Sequence, residues 1–192
     1  MFIDRFPDLS FYAILSTTLL IEILIGVSPA IFLPSLSVMG TVFAITLATN
    51  IVLKNVFRTP RPRSRYISRS VFSPSFPSLH AQFSTSEAAA LATCIYALAP
   101  QHLRLLATTL AAAVAGGSAA VVSWSRVRVG AHRVVDVVGA AAMGVPTGMV
   151  LAIALLPEVI REPIAINALI AATFLVSILI LSTIERRKLV NG

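Results

Sequence analysis

Ser125-Arg126-Val127-Arg128-Val129-Gly130-Ala131-His132-Arg133-Val134-Val135-Asp136 joins two long apolar segments, Leu103–Trp124 and Val134–Leu156. Each segment is near the roughly 20 residues needed to cross the hydrocarbon of a bilayer. The passage therefore reads as a polar turn between two membrane helices, with its charges at one membrane surface. Its chemistry is equally specific. An arginine clamps a phosphate bidentately, and a histidine can attack phosphorus or shuttle a proton. A carboxylate one helical turn after the histidine can hold its tautomer. Arg126, His132 and Asp136 stand at spacings a phosphate site can use.

Composition agrees with a membrane setting. The 192 residues are 57% hydrophobic and 12% charged, with mean hydropathy +0.89. Soluble domains are typically about 45–50% apolar and about 25% charged. Six apolar segments can be counted: Leu9–Val27, Leu33–Leu53, Ala81–Leu98, Leu103–Trp124, Val134–Leu156 and Ile164–Ile184. The expected fold is all-α, a polytopic bundle of about six transmembrane helices forming a single membrane domain over residues 1–192. Ser28-Pro29-Ala30, Ala99-Pro100-Gln101 and the stretch from Pro157 to Pro163 punctuate the spans. The third segment opens with Gln82-Phe83-Ser84-Thr85-Ser86-Glu87, so its first two turns are expected to face protein or a water-filled cavity. Met1–Asp8 lacks a basic n-region, and no cleavable signal peptide is expected. Cys94 is the one cysteine; it lies in an apolar run, which reads as a small core residue and leaves no disulfide.

The net charge of +7 does not point to nucleic acid, because most of the positive charge sits in short loops between apolar runs. With six spans, the connections 54–80 and 125–133 and both termini fall on one side. That side carries 13 of the 15 Lys and Arg residues, leaving Arg104 and Arg161 on the other. Without Lys54, Arg61 and Arg126 the balance is still 10 against 2. The positive-inside tendency then places this face in the cytoplasm.

Two further blocks lie on the same side. Lys54 leaves the second segment, and Arg61-Pro62 follows seven residues later. Cations at a helix exit can neutralise and orient phosphate oxygens, while Pro62 stiffens the turn. Alternatively they form a juxtamembrane basic cluster that touches lipid headgroups. Pro77-Ser78-Leu79-His80 stands where the loop becomes the third helix. Ser78 is suited to N-cap it, and free amides in the first turn favour an anion. The plainer reading is a capping serine beside a surface histidine; for His132 and Asp136 it is a structural pair capping a helix.

Together Lys54-x6-Arg61-Pro62, Pro77-Ser78-Leu79-His80 and Ser125-Arg126-x5-His132-x3-Asp136 resemble the signature of the type 2 phosphatidic acid phosphatase superfamily. That superfamily also includes vanadium haloperoxidases and bacterial acid phosphatases. The resemblance covers residues 54 to 136 and implies a metal-independent membrane phosphatase that acts on a lipid phosphate or diphosphate, polyprenyl or glycerolipid. Residue by residue, it implies His132 as nucleophile through a phosphohistidine, His80 as proton donor to the leaving group and Asp136 as the group that orients His132. Lys54, Arg61, Ser78, Arg126 and Ser125 would hold the phosphoryl oxygens, with Pro62, Pro77 and Leu79 supporting the loops. No cofactor is implied, and vanadate is expected to inhibit. Leu79 departs from the family's usual glycine; leucine keeps the amide donor but disfavours positive φ and adds bulk. The span count also departs. Many integral members place the site on the outer face after three spans, whereas here two precede the first block and an extra one follows the last.

Other residues complete the expectation. His80, His132, Asp136 and Glu87 contain no His-x3-His, cysteine pair or carboxylate cluster, and the nearby cations would repel a metal ion. Arg58, Arg63, Arg65 and Arg69 read as headgroup or topology charges. Glu22 and Glu87 face either the site or another helix, and Asn50, four residues before Lys54, is placed to orient it. His102 lies in the opposite loop. Gly144-x3-Gly148 reads as close helix packing, and Trp124 as an interfacial anchor. The partners expected are the lipid phosphate and membrane lipids; oligomeric state and the identity of the lipid are open. A phosphotransferase would use the same residues with an acceptor alcohol in place of water. A lipid-phosphate-binding membrane protein without activity would not need His80 or His132. Haloperoxidase activity does not fit, because those relatives are soluble.

Overall fold

The computed structural model describes residues 29–62, 74–170, 172, 173 and 176. Four long helices make up nearly all of it: α1 (Pro29–Phe57), α2 (Leu79–Leu98), α3 (Arg104–Arg128) and α4 (Val134–Arg161). Residues 164–170 are helical again, and no strand is present among the described residues. The expected first span, Leu9–Val27, lies outside the described residues, as does most of the sixth.

Among the described residues three helices are long and apolar enough to cross a membrane: Leu33–Phe57 of α1, α3 and α4. The expectation of about six is thus not confirmed. α2 differs for a physical reason. It is the central helix, packed on α1, α3 and α4, while α3 and α4 barely meet. Gln82, Ser84, Ser86 and Glu87 in its first two turns are buried among those neighbours rather than facing lipid. Their hydrogen bonds are mostly local or directed at α1, as in Thr46 Oγ1 to Ser86 Oγ (3.1 Å) and Ser84 Oγ to the Ala81 carbonyl (3.3 Å). Glu87 is the exception: both carboxyl oxygens are buried without a hydrogen-bond partner.

The buried face of α3 is a row of alanines. Ala107, Ala111, Ala115 and Ala119 recur every fourth residue and are buried against Ala88, Leu91 and Ile95 of α2. Leu105, Leu106, Leu110, Val114 and Val121 point outward. Lipid is as apolar as a leucine side chain, so helices associate where small residues let backbones approach. α4 uses the same device with glycine. A Cβ on Gly144 would run into Thr85 Oγ1 and the Gln82 carbonyl, and one on Gly148 into the Ser86 carbonyl. The expected close packing at Gly144-x3-Gly148 is present, with α2 as the partner. Cys94 is fully buried beside Val38, Val42, Ala90 and Ala152, a small core residue as expected. At the base of α4, Asn167 donates to the Val159 carbonyl (2.9 Å), and its own carbonyl accepts from Ser37 (3.0 Å), tying this end to α1.

The two ends of α3 carry matching interfacial contacts. The Arg104 guanidinium lies 5.4 Å from the centre of the Tyr96 ring, and that of Arg128 lies 5.9 Å from the centre of Trp124. A helix of 25 residues rises about 37 Å, slightly more than the roughly 30 Å of hydrocarbon, which suits aromatic and cationic anchors at both surfaces.

Candidate active site

α1 and α3 end, and α2 and α4 begin, at the same end of the bundle, and every described motif residue lies there. α1 stops at Phe57 because Arg58 takes a left-handed conformation (φ 47°), its amide closing on the Lys54 carbonyl at 3.0 Å. The chain then turns through Thr59, which fastens the second block from both sides. The Ser75 amide donates to the Thr59 carbonyl (2.8 Å) and the Phe76 amide to Thr59 Oγ1 (2.7 Å). Phe76 packs its ring edge-on against Phe57 and over Gly139 of α4, where a Cβ would collide with it.

Lys54 is almost completely buried, 1% exposed, and its ammonium donates to the carbonyls of Pro74 (2.5 Å) and Ser75 (3.4 Å). Ammonium has three donors, so one remains to reach into the site. Asn50 does not orient Lys54 as expected. Its Nδ2 donates to the Pro77 carbonyl (3.3 Å) and to Gln82 Oε1 (2.7 Å), so it holds the second block instead. The Phe76–Pro77 peptide is cis.

Ser78 stands at the N-cap of α2 but makes no side-chain capping bond. Its own amide donates to the Asp136 carbonyl (3.1 Å). The hydroxyl is buried with no hydrogen-bond partner, which leaves its O–H as a donor for a ligand. The helix's own ladder starts with Gln82 N–H to the Ser78 carbonyl (2.9 Å), so the amides of residues 79–81 lack intrahelical partners. Leu79, half-buried, is the first helical residue. Among the described residues Arg58 is the one non-glycine with positive φ, so the backbone here does not require glycine.

The third block closes on itself. Gly130 adopts φ 73° just beyond α3, a conformation glycine reaches without penalty. The chain then reverses, and the amides of Ala131 (3.1 Å) and His132 (3.2 Å) both bond to the Arg126 carbonyl. Five intervening residues thus bring His132 back beside Arg126. Arg61 reaches the same turn, with Nη1 3.5 Å from the Ala131 carbonyl. Ser125 is buried, and its hydroxyl donates to the Val122 carbonyl (2.7 Å). Its proton is therefore directed into α3 rather than toward a phosphate. Pro62 is exposed at the edge of the described region.

His132 is 5% exposed. Burial, reinforced by the charges of Arg61, Lys54, His80 and Arg126, pushes its pKa from 6.5 down to about 2. The imidazole is neutral, and four cationic or ionisable groups from all three blocks act on it. Asp136 sits at the third position of α4, where a carboxylate favours the helix N-terminus. Its Oδ2 accepts from the Arg133 amide (2.8 Å), so the helix-capping role is real. A direct bond from His132 to Asp136 is not formed: Nδ1 and Oδ2 are 3.8 Å apart. Ser75 stands between them. Its hydroxyl donates to Asp136 Oδ2 at 2.5 Å and lies 3.4 Å from His132 Nδ1. Sequence reasoning passed over Ser75 because a serine three residues ahead of Ser78 carries no spacing signal. Among the described residues no three His, Cys, Asp or Glu side chains come together as a metal site would need.

Such a site can bind a phosphoryl group between cations and present it with an uncharged imidazole. Among solved structures, the fold is similar to that of a transmembrane PAP2-type phosphatidylglycerolphosphate phosphatase from Bacillus subtilis. The two are 22% identical over 83% of this chain and 88% of that one, with a TM-score of 0.53. No curated protein sequence matches. The family model of the PAP2 superfamily matches residues 35–161, a span that takes in all three blocks, α2, α3, α4 and α1 from its seventh residue, and the chain belongs to that superfamily.

Proposed function

We propose that this protein is a membrane phosphatase that hydrolyses a lipid phosphate or diphosphate through a phosphohistidine. The observation that carries the reading is the convergence of Lys54, Arg61, His80 and Arg126 on a buried, neutral His132. A neutral imidazole has a lone pair with which to attack phosphorus, and the surrounding charge balances that developing on the phosphoryl oxygens. In this mechanism His132 Nε2 forms the bond to phosphorus as the bond to the leaving oxygen breaks. His80, half-buried in the first turn of α2, protonates that oxygen; general acid help of this kind is worth roughly 100- to 10,000-fold. Water then attacks the phosphohistidine, with His80 as base. Lys54, Arg61, Arg126 and the Ser78 hydroxyl hold the oxygens. Leu79 contributes its amide.

Placement supports a lipid substrate. The site lies at one end of a bundle whose flanks, including Val56, Phe57, Val134, Val135 and Val138, expose large apolar side chains. A headgroup enters the polar end while its tails stay in hydrocarbon. The distribution of Lys and Arg supports a cytoplasmic face, which favours a biosynthetic intermediate over a carrier recycled outside. A phosphatidylglycerophosphate, the compound named for the structural relative, is one candidate beside phosphatidate and polyprenyl phosphates.

The experiment is phosphate release by purified protein in detergent with EDTA, over phosphatidylglycerophosphate, phosphatidate, a polyprenyl monophosphate and a polyprenyl diphosphate. Release abolished by His132→Ala is the expected result. Release equal in the variant would overturn the reading. Phosphate passed to an added alcohol in preference to water would instead establish the transferase, which uses the same residues.

A further inference from the structure

We infer that Ser75 is a positioning residue that couples His132 to Asp136 through its hydroxyl, in place of a direct histidine–carboxylate bond. The inference rests on His132 being the nucleophile. The 3.8 Å between His132 Nδ1 and Asp136 Oδ2 is beyond a hydrogen bond, whereas Ser75 Oγ is 2.5 Å from the carboxylate and 3.4 Å from the imidazole.

A hydroxyl has one proton. With that proton directed at Asp136, Oγ can only accept from His132, so Nδ1 carries hydrogen and Nε2 holds the lone pair. This is the tautomer the attack requires. The Asp136 oxygen is also held by the Arg133 amide (2.8 Å), which pins the carboxylate to the start of α4. Ser75 is pinned as firmly. It is fully buried, its amide is bonded to Thr59, and its carbonyl receives the Lys54 ammonium. The hydroxyl therefore bridges two elements, the loop from α1 to α2 and the turn from α3 to α4, each fixed independently. When Nε2 bonds to phosphorus the ring becomes cationic with Nδ1–H retained. The chain Nδ1–H to Oγ–H to carboxylate then stabilises that charge without moving a proton.

The test uses full-length protein in detergent, labelled with 15N at its three histidines. Assigned by His80→Gln, His102→Gln and His132→Gln, the His132 signals should show Nδ1 protonated and Nε2 unprotonated near neutral pH. That readout does not depend on substrate, so it stands even if no lipid is hydrolysed. The Nε2–H tautomer would overturn the inference. In turnover, Ser75→Ala should lower kcat by about 10- to 100-fold while KM changes less than about threefold. Ser75→Thr, which keeps the hydroxyl, should recover much of the loss. The double variant Ser75→Ala, Asp136→Asn should be no slower than Asp136→Asn alone, because both changes break one chain. Multiplicative losses would assign Ser75 an effect independent of Asp136 and sink the idea. Should Ser75→Ala not fold, as read by its melting transition, the tautomer in the wild-type protein decides the matter.

Discussion

The Lys54 ammonium donates to the carbonyl of Pro74 at 2.5 Å, joining the last turn of α1 to the loop that leads into α2. A motif cation is thereby a structural tie as well as a charge for the site. The arrangement predicts that arginine will not replace it. A planar guanidinium does not fit a position 1% exposed, nor does it present donors as an ammonium does. Lys54→Arg should lose at least about 100-fold in kcat/KM, comparable to deleting one preorganised donor to a developing anion. Lys54→Met, similar in volume, should lose as much and also make the 58–78 connection more sensitive to limited proteolysis. Arginine activity within a few-fold of wild type would show that Lys54 contributes charge alone.

Gly148 packs against the Ser86 carbonyl, while Gly117 has nothing within 4 Å of the place a Cβ would occupy. Gly148→Ala should therefore destabilise by about 1–3 kcal/mol, the usual range for overpacking. Gly117→Ala should be neutral or stabilise by up to about 1 kcal/mol through improved helix propensity. Melting temperatures of the two variants in one detergent check the contrast. Equal shifts would mean that the α2–α4 contact is looser than drawn.

Leu79 takes a negative φ as the first residue of α2. Restoring the family's usual residue with Leu79→Gly should leave kcat/KM within about threefold and cost up to about 1 kcal/mol in stability. Assay and melting curve together test this. A large gain in activity would indicate that leucine bulk restricts the substrate.

His132 gives stability a pH dependence whose sign is fixed. Its folded pKa lies near 2 and that of the unfolded side chain near 6.5, so between those values the unfolded chain binds the extra proton. The stabilisation is complete above about pH 6.5 and is lost as pH falls, by at most about 1.4 kcal/mol per pH unit. The melting temperature of the wild type should fall more steeply from pH 7 to pH 5 than that of His132→Asn. Parallel curves would show that the fold does not lower the His132 pKa below its unfolded value.

The membrane class, the helical architecture and the three motif blocks were legible because they depend on composition and on short-range spacing. Arg126, His132 and Asp136 are read from one turn and one helix start; Gly130 makes the reversal local. The faces of α3 were not legible, because apolar and small residues lie on every side: Ala107, Ala111, Ala115 and Ala119 are buried while Ala112, Ala113 and Ala120 are exposed. α2 did not read clearly as a span, since its polar residues are sheltered by three neighbours.

Contacts between blocks were hidden for a different reason. Ser75 meets Asp136 across 61 positions and Asn50 meets Pro77 across 27, and no local pattern encodes a hydrogen bond between distant segments. The sequence alone determined that this is a membrane protein of helices and which residues make up its three motif blocks. Only the tertiary structure decided that Ser125 turns its hydroxyl into α3, that Asn50 serves the loop rather than the lysine, and that a serine separates His132 from Asp136. Residue types and spacing govern what a segment can do. Which donor reaches which acceptor depends on angstrom-scale packing of helices that are far apart along the chain.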